Sequence, residues 1–464
     1  MKKWLKKVWH WIDDRSGISE LIMPMLRHPV PPGSKWSYVF GSATLFCLIL
    51  QIVTGVGLAL LYQPSSDKAF ESLQFITNQA VMGKWLRGLH YFGASGMILM
   101  VGIHMMRVYI TAAYKYPREM SWISGVVLLL LTVSMGFTGQ LLRWDDNGVW
   151  SAVVAAEQMG RIPLIGKYIA RLLIGGDTLG GQSLSRFFAY HVFLFPGLLI
   201  LFVTFHLYLV LRNGISEPPK PGQLVDPKTY RAWYKDLLKT KGVPFFPDAA
   251  WRDVVFGVAT LLIIIVLAYF VGPPAVSKPP DPSIVYTKPS PDWYLLWIFA
   301  LFALMPPAIE SYVMFFGPII VIGLLFSLPF ISNKGERSPI KRPWAIVGSI
   351  ATIIIVASLL VAGAKTPWSP NFKTKMLPLS VVNTTDTMAI AGSRLFYDKG
   401  CLYCHKVKDY GGKVGPELTY IARSLNAKQM TIRIVNGGDN MPAYGSSLKS
   451  HELNEIVAFL KSRR

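Results

Sequence analysis

Seven stretches of the chain run apolar for about twenty residues, near 38–62, 89–111, 121–142, 187–211, 253–272, 311–331 and 344–363. Each approaches the ~20 residues that an α-helix needs to cross the hydrocarbon of a bilayer, so the pattern predicts an all-α membrane protein with seven spans. An eighth run, "WYLLWIFALFALM" at 293–305, is too short to cross and meets Pro306 and Pro307. It reads as a helix buried in protein or lying at the interface. The opening "MKKWLKKVWHWIDDRSG" mixes basic and aromatic positions without the apolar core and small-residue cleavage site of a signal peptide. It reads as an amphipathic helix on the cytoplasmic face. Beyond residue 365 the long apolar runs stop, and about 385–464 carries the mixed pattern of a small globular domain.

Charge sharpens this picture. The chain has 464 residues, with 47 Lys and Arg against 26 Asp and Glu and a formal net charge of +21. That excess is parcelled into loops between apolar spans, which is the pattern of topology control, and no nucleic-acid partner is expected. The arm 1–35 holds seven Lys/Arg, the 212–250 connection seven and the 332–343 loop four, and Lys115 and Arg118 lie in the 112–120 turn. The loops on the opposite side hold fewer: two in 63–84, four in the longer 143–183 and two in 272–308. The positive-inside rule then places the N-terminus in the cytoplasm and residue 365 onward outside a bacterial inner (plasma) membrane. The organisation expected is a four-span block (1–212), a Pro- and Lys-rich cytoplasmic linker (213–250), a three-span block (251–364), an exit linker (365–384) and a small domain (385–464). No internal repeat is visible.

With three cysteines in the whole chain, a disulfide framework is excluded. Cys47, inside the first span, reads as a small buried hydrophobe. Cys401 and Cys404, followed directly by His405, form C-x-x-C-H, the attachment signature of a c-type haem. Two thioethers hold the porphyrin, and His405 is placed to ligate the iron. An exterior C-terminus suits such a cofactor. Met430 and Met441 are available as a sixth ligand, and a thioether raises the potential relative to a second histidine. From Lys365 onward fifteen Lys/Arg stand against seven Asp/Glu, a surface that steers an acidic partner, is simply solvated, or touches anionic lipid.

Four intramembrane histidines carry further chemistry. His90 and His104 lie in the second span, His191 and His206 in the fourth. Fourteen helical steps return to within about 40° of the starting direction, fifteen overshoot by about 60°, and each pair is roughly 21–23 Å apart along its axis. The two spans run the same way across the membrane, so His90 faces His191 near the outer side and His104 faces His206 near the inner side. A lone membrane histidine is more often a helix-to-helix hydrogen bond than a ligand. Four in register at two depths point to bis-histidine ligation of two stacked, non-covalent b haems in a bundle core. Arg87, Arg107, Arg118 and Arg186 sit near span ends, where they would neutralise haem propionates or else snorkel to headgroups.

These residues, with "WLRGLH" (85–90), "YPREMSWISG" (116–125), "GFTG" (136–139), "GQSLSRFFAYH" (181–191) and the H-x(14)-H spacing, resemble the cytochrome b subunit of quinol–cytochrome c reductases, the cytochrome bc and bf complexes. The match is to the chloroplast and Gram-positive branch. The 251–364 block resembles that branch's separate small subunit, here fused in line. The resemblance implies a four-helix di-haem bundle plus three further spans, followed by a small α-helical cytochrome c domain. In that domain "VGPELTYI" (414–421) and "NGGDNMPAY" (436–444) resemble elements of small class I cytochromes c, which makes Met441 the expected sixth ligand and leaves Met430 to the core. The family's quinol-oxidising signature Pro-Glu-Trp-Tyr reads Pro291, Asp292, Trp293, Tyr294 here. A carboxylate at the edge of an apolar pocket is a suitable proton acceptor, so Asp292 and Tyr294 are the expected catalytic residues. A Pro-Asp helix cap is compatible with the same positions, and Trp293 reads as an interface anchor.

Two departures from the family stand out. Its Leu-Pro-Trp-Asp after the third span is Leu142, Arg143, Trp144, Asp145, with Arg143 in place of the proline. The anchoring cysteine for an extra haem aligns with Val39, so no extra covalent haem is expected. Arg212 is a guess for the inner quinone site. The implied activity is quinol oxidation, taken as menaquinol, at the outer side. One electron goes to a separate Rieske iron–sulfur protein and on to a c-type acceptor, soluble or membrane-bound. The other crosses inward through the outer and inner b haems, and a proton gradient results. A homodimer within a larger complex is implied, and the chain lacks cysteines for an iron–sulfur cluster of its own. The rival readings are a di-haem quinone-linked anchor without bifurcation and a non-enzymatic haem-bearing redox sensor.

Overall fold

In the computed structural model the described residues are 2–160, 162–176, 179–279, 290–366, 370–437, 441, 443–445 and 447–464. Among them, seven helices are long and apolar enough to cross a membrane: Phe40–Ala59, Gly83–Ile110, Glu119–Leu141, Gly181–Asn213, Phe245–Phe270, Ile309–Ile331 and Pro343–Lys365, the first to seventh spans in chain order. The protein is an all-α, multi-pass membrane protein. The second and fourth spans begin about six residues before the apolar pattern does, because "GKWLRG" and "GQSLSRF" continue the helix through polar turns. The eighth run forms the separate eleven-residue helix Trp293–Ala303. Outward faces carry exposed Ile263, Phe270, Ile320 and Ile354, a distribution that lipid as solvent permits and water does not. Inside, Cys47, Leu48, Leu89, Met97, Leu199, Ile264 and Ala268 pack into one core. Cys47 is fully buried there, as its sequence context predicts.

Loops assigned by charge to one side meet one another. Pro29–Val30 pairs antiparallel with Val243–Pro244, and Leu224–Val225 with Gly335–Glu336. Arg337 pairs with Glu217, Tyr116 N–H donates to Asn333 O and Oδ1 at 3.3 and 2.8 Å, and Lys115 Nζ donates to Lys334 O. The loops of the other set gather likewise. Trp144 Nε1 donates to Ser66 O at 3.1 Å, Ser277 N to Asp145 Oδ2 at 2.9 Å and Arg87 Nη2 to Pro274 O at 2.7 Å.

The chain divides into two compact units. The first holds the spans up to Ser358, and the second runs from Leu359 to Arg464 and includes Trp297–Leu304. The second unit's small domain is built on the helices Thr387–Asp398 and Ser450–Lys461. They cross at Gly392, where any Cβ would lie 1.9 Å from Glu455 O. Phe396, Leu402, Val407, Met430, Ile456 and Phe459 fill the core. Asp386 caps the first helix by accepting from Met388 N at 2.9 Å, and Asn426 caps Ala427–Asn436 by accepting from Gln429 N at 3.0 Å.

Candidate functional site

The membrane unit brings the four histidines together in two pairs. The rings of His90 and His191 have centroids 6.2 Å apart at an interplanar angle of 75°, and His104 and His206 lie within electrostatic reach of each other. The unequal spacing along the two spans has a local cause. In the fourth span Tyr190–Leu194 forms a π turn, with Phe195 N–H donating to Tyr190 O, immediately before Pro196. Proline offers no N–H to a regular helix, so a wider turn is accommodated there. One π turn absorbs one extra residue, which removes the overshoot that regular geometry predicts for fifteen steps.

Facing the histidines are four glycines that sequence reasoning did not single out. A Cβ on Gly139 would lie 2.6 Å from His191 Cε1, one on Gly41 3.1 Å from His104 Cε1, one on Gly55 3.3 Å from His90 Cε1 and one on Gly125 3.7 Å from His206 Cε1. Gly41 and Gly55 are fourteen residues apart, and so are Gly125 and Gly139. That repeated interval, equal to the His90–His104 spacing, was the available signal.

Three of these glycines are preceded by a hydroxyl that touches the same histidine. Thr54 Oγ1 is 2.9 Å from His90 Nδ1, Ser124 Oγ 2.8 Å from His206 Nδ1 and Thr138 Oγ1 3.1 Å from His191 Nδ1. Each hydroxyl donates its single proton to a carbonyl of its own helix, of Leu50, Ser121 and Ser134 respectively. Toward the histidine it must therefore accept, so Nδ1 carries the N–H and Nε2 keeps a lone pair. Imidazoles fixed in that tautomer, with glycine-lined space beside them, fit a planar metal macrocycle held from both sides. Two metal–nitrogen bonds of about 2 Å and two ring half-widths fill the centroid separation of the outer pair.

Of the four arginines, Arg87 is buried and donates to Thr77 Oγ1 (3.1 Å) and Pro274 O (2.7 Å). Arg107 lies 3.7 Å over the Tyr38 ring, and its buried Nε has no hydrogen-bond partner among the described residues. Arg118 has another occupation: it donates to Gly214 O and Tyr230 OH at 2.8 Å and to Asn213 O and Ile215 O at 3.3 and 3.2 Å, fastening the linker to the third span. Arg186 donates to Leu172 O at 3.3 Å in an exposed contact. Arg212 donates to Tyr208 OH at the surface.

The end of the third span organises Pro291–Tyr294. Gln140 Oε1 accepts from Asp292 N at 2.6 Å, and the single proton of Tyr294 OH is shared between Gly136 O at 3.1 Å and Asp292 Oδ2 at 3.2 Å. A Cβ at Gly136 would reach within 2.7 Å of the Tyr294 ring, so that approach requires glycine. Arg143 Nη1 lies 3.5 Å from Asp292 Oδ1. Trp293 Nε1 donates to Ser95 Oγ at 3.1 Å, a contact inside protein. Gln140 and the Arg143 contact escaped sequence reasoning, and Gly136 entered it only as part of the string "GFTG".

In the small domain Cys401–Cys404 forms one helical turn and His405 leaves it in extended backbone. His405 Nδ1 donates to Pro416 O at 2.9 Å, again leaving Nε2 free. Burial disfavours its imidazolium. Gly415 passes so close that a Cβ would lie 2.6 Å from His405 Cε1. Burial also pushes the Cys401 thiol up to about 12, keeping it a thiol rather than a thiolate. Met441 is half-buried against the domain core, Met430 is buried within it, and residues 438–440 and 442 of the "NGGDNMPAY" segment lie outside the described residues.

Comparison with known proteins locates two families on the chain. The family described as Cytochrome b/b6/petB matches residues 25–214, and that described as Cytochrome C oxidase, cbb3-type, subunit III matches residues 389–460. Cytochrome b6 of Synechococcus sp. (strain JA-3-3Ab) is 37% identical over 214 residues, 46% of this chain and 100% of that protein. Cytochrome b6 of Crocosphaera subtropica (strain ATCC 51142 / BH68) is 37% identical over 212 residues, 46% of this chain and 96% of that protein. A solved structure titled "Hyperthermophilic respiratory Complex III" is similar with a TM-score of 0.65 and 27% identity, over 76% of this chain and 91% of that one.

Proposed function

Because this chain belongs to the cytochrome b/b6 family, we propose that it is the fused cytochrome b/c subunit of a membrane quinol–cytochrome c oxidoreductase. His90 with His191 and His104 with His206 hold two non-covalent b haems, and Cys401, Cys404, His405 and Met441 hold one covalent c haem. When bound, these groups supply one-electron transfer across the bilayer and to an outer carrier. The single observation that carries the reading is the fourfold match of a histidine to a facing glycine in the membrane unit.

At the outer face Asp292, with Tyr294 donating to its Oδ2, accepts a proton from the quinol, taken as menaquinol. The two electrons part, one to a separate Rieske iron–sulfur protein and the other inward, so that quinol protons stay outside while charge crosses the membrane. Arg87 and Arg107 are the candidates to neutralise the haem propionates at the ends of the bundle. Arg118, donating to acceptors on the linker, takes no part in this. The setting is the inner membrane of a bacterium, with the N-terminus cytoplasmic and the small domain outside, and the subunit works as a homodimer within a bc-type complex.

Pyridine-haemochrome quantification of the purified chain tests the reading. The expected result is two b haems per covalent c haem, with b haem lost in His206→Ala. A one-to-one ratio, or b haem undiminished in that variant, overturns it. Labelling of Lys228 and Lys413 from the same side of the membrane removes the energy-conserving role.

A further inference from the structure

We propose that Arg143 is a positioning residue for quinol oxidation, clamping the Asp292 carboxylate in place to accept the proton. The inference rests on the reading of residues 291–294 as the quinol site.

The two departures from the family's sequence pattern in this region, Asp for Glu at 292 and Arg for Pro at 143, are in contact. Arg143 Nη1 is 3.5 Å from Asp292 Oδ1, and the two side chains are only 17% and 13% exposed. Arg143 Nε also lies 3.8 Å from Asp145 Oδ1. Asp145 has donors of its own, Gly148 N at 2.8 Å and Ser277 N at 2.9 Å, whereas the side-chain oxygens of Asp292 are met by Tyr294 OH and Arg143. The main chain of Asp292 is separately fixed by Gln140. Asp is one methylene shorter than Glu, and a guanidinium reaches across to it where a proline at 143 offers no donor.

Among the described residues, the charged and titratable groups around Asp292 come from three elements. Arg87 and Tyr91 face it from the second span, Arg143 and Asp145 from the turn after the third, and Tyr294 from its own segment. Among the described residues, Arg143 is the cation whose guanidinium reaches an Asp292 oxygen, while Arg87 donates to Thr77 and Pro274. A guanidinium donor at this range fixes the orientation of the shorter carboxylate, which a proline at 143 could not do.

Quinol oxidation by the assembled complex in native membranes, resolved into kcat and KM, tests this. In Arg143→Gln kcat falls by about tenfold with KM little changed. The b-haem spectrum is unchanged. Arg143→Lys, which keeps a cationic donor, restores kcat to near wild type. The double variant R143P/D292E, which restores the family's pairing, is more active at neutral pH than either single variant. An unchanged kcat in R143Q, or a loss that Arg143→Lys does not rescue in a protein with full haem content, overturns the role of Arg143. Undiminished oxidation in Asp292→Asn instead overturns the assignment of the quinol site itself.

Discussion

The glycines opposite the histidines give the sharpest quantitative test, because they are graded. Ordinary contact begins at 3.4 Å, and a Cβ on Gly139 would stand 2.6 Å from His191 Cε1, so the ring would have to retreat by about 0.8 Å. It is poorly placed to do so, since its Nδ1–H is tied to Thr138 Oγ1 on the adjacent residue of the same helix. A Cβ on Gly125 would stand 3.7 Å from His206 Cε1 and requires no retreat. Overpacking of this kind costs about 1–3 kcal/mol, which is about a five- to 150-fold loss in haem affinity. The covalent haem of the small domain supplies an internal count of protein molecules. Gly139→Ala is expected to lower the b-to-c ratio from two toward one by loss of the outer haem, whereas Gly125→Ala leaves it at two. Gly41→Ala and Gly55→Ala, with first contacts at 3.1 and 3.3 Å, fall between. The reasoning fails if G139A retains both b haems while G125A loses one, because the ranking follows directly from the four distances.

Other expectations follow from neighbouring features. Thr138→Val removes one of the acceptors around His191 Nδ1–H and lowers the basicity of the ligand, so the outer b haem should titrate about 40 mV higher, the equivalent of one net hydrogen bond of about 1 kcal/mol; an unchanged redox titration refutes this. Arg118→Ala removes the donor of the half-buried Asn213 and Gly214 carbonyls and of Tyr230 OH, while Ile215 O keeps Tyr234 OH, at about 1–3 kcal/mol, so the 213–250 linker should be cut faster in limited proteolysis. Burial, assisted by Arg342 and Arg337, lowers Lys115 to about 8, whereas an unfolded chain keeps the ordinary value near 10.4. The unfolded state therefore binds more protons between those limits, and the wild type should gain thermal stability relative to Lys115→Met as pH rises from about 8 to 10. Deleting Val192 from the π turn should restore regular helix and keep both b haems, whereas inserting one residue between Gly197 and Phe205 rotates His206 by about 100° and should release the inner haem.

Much of this was legible in the sequence, and the remainder shares a physical reason. Span number follows from apolar length alone, so seven segments could be placed without their neighbours. The starts of the second and fourth spans could not, because a helix continues through polar turns such as Gly83–Gly88 wherever its end is met by other loops. The histidines announced themselves by residue type. Their facing glycines and hydroxyls did not, since glycine is common in membrane helices and only the partner across the bundle gives Gly139 or Thr138 its meaning. Arg143 and Asp292 are 149 positions apart, and each looked like a separate irregularity until the fold joined them. The register of the bundle ties these levels together. Intervals of fourteen in the first, second and third spans, and of fifteen relieved by one π turn in the fourth, place histidine and glycine at the same two depths on four helices. Phe40 breaks the pattern: it precedes Gly41 where the other three glycines follow a hydroxyl, so His104 has no hydroxyl at the equivalent position. The inner and outer pairs are therefore chemically unequal, and a difference in ligand basicity between the two depths is already written into the first span.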